Sequence, residues 1–390
     1  MRKNNLAKFG GTPVRNKPWV WNNLVGEDES RAVEEVIMTG QLSVFRGGPK
    51  VKAFENAFAN YSGAIYGVAT TSGTTALHTA VAALDLKPDD EVLIPSLTFI
   101  STASVILQER AKPIFVDIDP TTYCMSPADL EAKISENSRA IIPVHIFGHP
   151  ADMDSIIRIA DNYGLSVIAD AAQAHGAKIN DIPIGKYGLA SCYSFFQTKN
   201  MTTGEGGMVI TNDINFKQKL QLKREHGSPE NPITWYVYTE LGFNYAMTEM
   251  QAAIGLVQLR KLDRFNQARR KNATTYIKAF SGTKLILPHV KDDITHVFHN
   301  FPVLLPEAHI RDEFVEAVRM EGVPIDICYP LPLHKTPLFE KHLPTPYCPV
   351  AESITSRIFT LFTDPTLSES DVGDICKAVL KVSEYYLGER

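Results

Sequence analysis

The chain has 390 residues, 44% of them apolar and 21% charged, the balance of an ordinary globular protein long enough for two or three folding units. A net charge of −5 leaves no broad basic field for nucleic acid, so a small molecule is the expected partner. The five cysteines (Cys124, Cys192, Cys328, Cys348 and Cys376) form no CxxC pair, which argues against zinc or iron–sulfur and for reduced, mostly buried thiols in a cytoplasmic protein. The first eleven residues lack the apolar stretch of a secretory signal, and no run of about 18 apolar residues offers a membrane span.

Along the chain, short apolar runs alternate with amphipathic stretches. Strands are predicted at Tyr66–Thr70, Glu91–Pro95, Pro113–Asp117, Ala140–His145, Ser166–Ala169, Cys192–Phe196 and Met208–Thr211. Most are rich in Val, Ile, Phe and Ala with little alternation, as suits strands buried on both faces. Helices are predicted between them, among them Thr75–Leu84, Ser101–Arg110, Pro127–Ser135 and Met153–Tyr163. That β–α order implies an α/β fold with a mainly parallel seven-stranded sheet, whose reactive residues gather at the carboxyl ends of the strands. Around residues 246–281 the pattern becomes almost continuously helical, apolar enough for the core over Ala246–Leu262 and more charged over Arg264–Phe280. A Pro-interrupted α/β stretch then closes on a helix near Ser368–Tyr386, opened by Ser368. The expected division is a large domain over 1–282 and a small C-terminal domain over 283–390.

Three segments carry chemistry in this order. Thr71-Ser72-Gly73-Thr74-Thr75 is a small-residue turn between a strand and a helix, where free N–H groups and the positive helix end suit a phosphate. Most such turns are only caps. Val167-Ile168-Ala169-Asp170 delivers a carboxylate at a strand end, which would keep a facing pyridine nitrogen protonated; a helix cap is an equally good account of it alone. Tyr193 to Asn200 leads a strand into a loop whose single basic residue, Lys199, sits among aromatic and uncharged neighbours. A lysine so placed loses its proton readily and attacks aldehydes, although a surface lysine is the default.

With these segments in this order, the chain resembles the DegT/DnrJ/EryC1/StrS family of sugar aminotransferases, pyridoxal-phosphate enzymes of fold type I. The resemblance runs from Gly10-Gly11-Thr12-Pro13-Val14-Arg15 through Ser72-Gly73-Thr74-Thr75-Ala76-Leu77, Pro143-Val144-His145, Asp170-Ala171-Ala172-Gln173 and Ser194-Phe195 to Lys199 and Gly204-Glu205-Gly206-Gly207. It implies pyridoxal 5'-phosphate as cofactor, with Lys199 as its Schiff-base lysine and Asp170 facing the ring nitrogen. It also places Gln173 near the ring hydroxyl, Phe99 on the ring face, and Ser194, Gly73 and Thr74 around the phosphate. Asn244 matches a phosphate contact supplied by the neighbouring subunit, which implies a homodimer with shared active sites. Arg46, Tyr329 and His334 are expected substrate contacts. Many relatives carry Arg where this chain has Ala246, so no residue is assigned to a carboxylate.

The implied reaction takes nitrogen from glutamate or glutamine and gives it to a keto-sugar, either a nucleotide-linked hexose or an 8-keto octulosonate. A sugar dehydratase of the same fold is disfavoured, because that branch replaces the lysine by histidine. A non-catalytic sugar- or cofactor-binding regulator is disfavoured by the complete catalytic set. His145 and His149 stand four apart but lack a shared helical face, so no metal is expected. Trp19 and Trp21 are expected to pack on the core.

Overall fold

The computed structural model describes residues 5–21, 23–229, 236–342 and 346–388. In chain order its strands are β1 (Tyr66–Thr70), β2 (Glu91–Pro95), β3 (Lys112–Val116), β4 (Ser138–Ile141), β5 (Ser166–Asp170), β6 (Lys178–Ile179) and β7 (Ile182–Pro183). They continue with β8 (Ala190–Ser194), β9 (Gly207–Thr211), β10 (Ile294–Thr295), β11 (Asn300–Leu304) and β12 (Ile358–Phe362). Seven of them form the main sheet, in the order β1-β9-β8-β5-β4-β2-β3. Only β9 runs against its neighbours, pairing antiparallel with both β1 and β8. The apolar runs that predicted the sheet are buried along nearly their whole length, from Val68 to Ile210, as strands covered on both faces require.

Two strand boundaries differ from the expectation. β4 ends at Ile141, and Pro143, which has no N–H to give a ladder, follows two residues later. The chain nevertheless stays attached to β5, because His145 N donates to Asp170 O at 3.0 Å and Asp170 N to Pro143 O at 2.8 Å. β8 lies two residues earlier than the apolar run suggested; beyond it Ser194 Oγ accepts from Phe196 N at 3.3 Å and turns the chain into the Lys199 loop.

The helix over Gly73–Ala82 starts two residues before its predicted first turn, capped by Ser72, whose side chain accepts from Thr75 N. The helical stretch expected after Ala246 is one continuous helix, Glu249–Phe280, capped by Thr248 through Gln251 N. Its length, about 48 Å at 1.5 Å per residue, lets it pack on both halves of the molecule. A second apolar cluster gathers its Tyr276 and Phe280 with Phe301, Phe314, Phe359 and Val379, and also with Leu6 from the start of the chain. Conversely Leu333, Phe339 and Ile354 join the cluster around the main sheet. Apolar packing thus crosses residue 282 in both directions. No helix among the described residues is long and apolar enough to cross a membrane.

One buried ion pair ties the sheet edge to the helices beside it. Glu55 Oε1, on the helix Pro49–Tyr61, accepts from Ala69 N at 2.9 Å and from Arg224 Nη1 at 2.6 Å. Arg224, 1% exposed, also donates to Ala69 O at 3.2 Å. Removing one partner of a buried pair costs about 3–5 kcal/mol; Glu225 Oε1, 3.2 Å from Arg224 Nε, is the other carboxylate within reach of that charge. Glu55→Ala is therefore expected to lower the unfolding free energy in urea by about that amount; a loss under about 1 kcal/mol would show that Arg224 finds another acceptor.

Candidate active site

β5 and β8 are parallel neighbours, so their carboxyl ends open on the same side of the sheet. Asp170 is the last residue of β5, and Lys199 lies in the loop that follows β8. Asp170 is 5% exposed, and its carboxylate is held at both oxygens. Oδ1 accepts from Ala172 N at 3.1 Å and Oδ2 from the Thr102 hydroxyl at 2.9 Å. Thr102 is itself linked to Thr98, hydroxyl to hydroxyl, at 2.8 Å. These two threonines are functional residues that sequence reasoning missed; their signal was two hydroxyls four apart at a helix start beside Phe99.

Burial holds the Asp170 carboxyl above the ordinary carboxylate range, although Ala172 N, Thr102 and the Lys199 charge pull the other way. A buried carboxylate with neutral donors and only a distant cation suits one further positive group, which is what a protonated ring nitrogen provides. Lys199 is pulled the opposite way. Burial lowers its ammonium below the usual lysine range, opposed by Asp170 and Cys328. A lysine that sheds its proton more easily is a nucleophile and a base.

The loop carrying Lys199 is fixed by its next residue. Asn200 is fully buried, and its Nδ2 donates to Asn266 Oδ1 at 2.8 Å and to Val297 O at 3.2 Å. Its Oδ1 faces His299 Nδ1 at 3.1 Å. Gln258 Oε1 accepts from Thr202 N at 3.3 Å, three residues beyond Lys199. The long helix thus sets the loop through Gln258 and Asn266.

A cavity of about 530 Å³ opens over Lys199, lined by Gln173, Tyr329, His299 and Arg269, among others, and walled by Trp21, Leu24 and Val25. Gln173 Oε1 accepts from Phe147 N at 2.6 Å, and its Nε2 donates to the Tyr329 hydroxyl at 2.7 Å. Phe147 and Tyr329 both hold left-handed backbone (φ 55° and 60°), a strain that bulky residues keep only where the surroundings enforce it. Trp21, expected in the core, instead stands 49% exposed in the cavity wall, edge-on to Phe362 at 4.8 Å.

The phosphate turn has the shape the sequence suggested. A Cβ on Gly73 would lie 2.5 Å from Ser194 Cβ, so only glycine lets the helix start approach β8 this closely. The Thr74 hydroxyl meets Ser101 Oγ at 2.6 Å beside the first-turn N–H groups of the helix. Phe99 is 58% exposed, its ring free to cover a flat ligand.

Three expected residues lie elsewhere. His334 is 1% exposed, with Nδ1 on Ser96 Oγ at 2.6 Å and Nε2 on Glu352 Oε1 at 3.1 Å. Both ring nitrogens are engaged by the protein, and the ring is not among the residues that line the Lys199 cavity. Arg46 lines a different cavity, about 820 Å³, and donates to Ser228 Oγ and Pro229 O. Asn244 is exposed, bridged to Glu225, and does not line the Lys199 cavity of its own chain.

A DegT/DnrJ/EryC1/StrS aminotransferase family model matches residues 23–380. The chain belongs to this family. Among curated relatives it is 40% identical, over 85% of its length and 88% of the relative's, to the UDP-N-acetyl-3-dehydro-α-D-glucosamine 3-aminotransferase of Acidithiobacillus ferrooxidans. It is 38% identical to the GDP-perosamine synthase of Caulobacter vibrioides, over 86% and 90% of the two chains. Among solved structures, S. venezuelae DesV in complex with a ketimine intermediate matches at a TM-score of 0.86 and 32% identity, over 91% and 94% of the chains. The chain is thus a pyridoxal-phosphate-dependent sugar aminotransferase of fold type I.

The direction of the Asp170 shift gives a test in the cofactor-free protein. A carboxyl whose folded value is raised contributes stability below its unfolded value and loses it as pH rises through the folded one. At neutral pH the charged Asp170 therefore works against the empty fold. Asp170→Asn is expected to raise the urea midpoint of the cofactor-free protein at pH 7, the gain shrinking as pH falls to the carboxylate range, while transamination is lost. A lower midpoint at every pH would contradict the burial cost.

Proposed function

We propose that this enzyme transfers an amino group from glutamate or glutamine to a ketone on a nucleotide-linked hexose. The observation that carries the reading is the pairing, on adjacent strand ends, of a lysine whose ammonium burial destabilises with a buried carboxylate that has only neutral hydrogen-bond donors. Pyridoxal phosphate, when bound, supplies an electron sink conjugated to the reacting carbon. Lys199 would hold the cofactor through its Nζ, and as a free amine that Nζ would take the donor's α-proton and return it one position along. Asp170 keeps the ring nitrogen protonated, with Thr102 keeping that carboxylate oriented. Gln173, fixed between Phe147 and Tyr329, presents an amide to the ring hydroxyl. Phe99 covers the ring, and Ser194, Gly73 and Thr74 receive the phosphate at the helix start. The nucleotide-linked hexose is favoured by the UDP and GDP sugars in the names of the two curated relatives. Such activated sugars are cytoplasmic metabolites, which fits a chain without a membrane-crossing helix among its described residues.

Purified enzyme with cofactor, L-glutamate and a panel of UDP- and GDP-linked keto-hexoses is expected to yield an amino-sugar, read by mass spectrometry. Failure with every member, while glutamate still consumes the visible band of the bound cofactor, would reject the nucleotide-linked class. In Lys199→Ala both turnover and a borohydride-reducible link to the protein are expected to disappear; a link that persists would move the assignment to another lysine.

The assembly belongs to the same reading: a homodimer in which Asn244 of one chain completes the phosphate site of the other, as the match of Gly242-Phe243-Asn244 to the family implies. Lys199→Ala and Asn244→Asp proteins, each nearly inactive alone, are expected to regain activity when mixed, because a mixed dimer holds one site free of both changes. No recovery despite subunit exchange would place Asn244 in its own chain's site.

A further inference from the structure

Arg269 is the arginine in the wall of the Lys199 cavity, carried there by the long helix. It is 3% exposed, yet it has no anionic hydrogen-bond partner. Its Nη1 donates to His299 O and to Thr363 Oγ1, both at 3.3 Å, and both acceptors are neutral. Nε is buried without a partner, and Asp364 acts on the guanidinium only through space. Buried charges are ordinarily paired, because desolvating one alone is expensive. Burial pushes the group down to about 10, which still leaves it charged at neutral pH.

The surroundings add no competing cation beyond Lys199. His299 and His175 lie under the influence of both Lys199 and Arg269, and burial with those charges holds their rings neutral. Lys199 and Arg269 line one cavity, with His299. An α-amino acid carries a nitrogen and a carboxylate two bonds apart from one carbon, so it can offer the first toward Lys199 while the second reaches a guanidinium. We propose that Arg269 binds the carboxylate of the amino donor, through the planar fork that suits a carboxylate's two oxygens. The proposal rests on the reading of an amino-acid donor. A sugar phosphate is the other anion a guanidinium accepts, and a cavity of about 530 Å³ that also holds the reacting groups favours the smaller one.

The test uses the cofactor-loaded enzyme and two probes, glutarate, which has carboxylates and no nucleotide, and UDP, which has the reverse. Calorimetric affinity for glutarate is expected to fall roughly tenfold to a hundredfold in Arg269→Gln, the worth of a charge-assisted hydrogen bond, with UDP affinity unchanged. In single turnovers with L-glutamate the apparent dissociation constant is expected to rise with it, while the cofactor's visible band and its reaction with hydroxylamine, which has no carboxylate, stay as in the wild type. Arg269→Lys keeps the charge without the fork and is expected to fall between. Should Arg269→Gln fail to hold the cofactor, a glutarate affinity within twofold of wild type in Arg269→Lys would overturn the proposal. So would a loss confined to UDP, or an equal loss with hydroxylamine, which would mark a merely structural role. A wild-type enzyme that ignores both glutamate and glutamine while accepting another amine would instead sink the donor reading itself.

Discussion

The fold has to keep an acid without a strong cationic partner dry at the end of β5. Asp170 is buried against its own solvation, and the protein supplies only two neutral donors in return. That arrangement is unfavourable in the empty protein and favourable once a positive ring nitrogen stands opposite, so stability and cofactor binding are linked through one carboxylate. The parallel β5–β8 pair makes the arrangement possible, because it puts the carboxylate and the Lys199 loop on one edge of the sheet. The same edge receives Thr102, from the first turn of the helix after β2, and the start of the Gly73 helix beside Ser194.

The helix Glu249–Phe280 does more than fill space. Gln258 binds Thr202 N on one side and, through Nε2, Leu24 O and Glu29 Oε1 on the other. Asn266 holds both Asn200 and the His175 carbonyl, and Asn272 reaches the Thr363 carbonyl beside Arg269's contact. A single rigid rod therefore sets the lysine loop, the Trp21–Val25 wall and the Thr363 loop. These polar groups are buried and hydrogen-bonded, so a shift of the helix would unmake several bonds at once. Lys261, paired with the buried Glu29 at 2.8 Å, pins the wall from the same helix.

Much of this was legible in the sequence, for reasons that can be named. The sheet announced itself because doubly buried parallel strands leave unbroken apolar runs, and Ser72 and Ser368 are ordinary caps. Asp170 and Lys199 were readable because each is a lone ionisable residue at the end of such a run. The long helix showed as an almost continuously helical stretch over residues 246–281, but its buried polar residues (Gln258, Asn266, Arg269) carried no local sign of what they would hold. Trp21 and His334 exchanged roles for a similar reason. An aromatic near the terminus and a histidine in a Pro-rich stretch carry no local signal of whether a cavity or a neighbouring side chain will meet them. Their fates depend on Phe362, Ser96 and Glu352, each distant in the chain.

The charge pattern of the cavity follows from the same long-range packing. Asp326 and Asp364 line it together with Lys199 and Arg269, so its walls carry acids and bases in equal number. Its histidine, His299, contributes none, being held well below its ordinary value by burial and by the two cations nearby. Among the described residues no ion pair joins Asp326 or Asp364 to Arg269 or Lys199, so the two basic groups remain available to a ligand that brings the opposite charge. An amino acid brings both signs, and a sugar brings hydroxyls that carboxylates accept from readily. One cavity with separated opposite charges can therefore serve two dissimilar substrates in turn, which is the demand that a two-stage transfer through a single lysine places on its binding site.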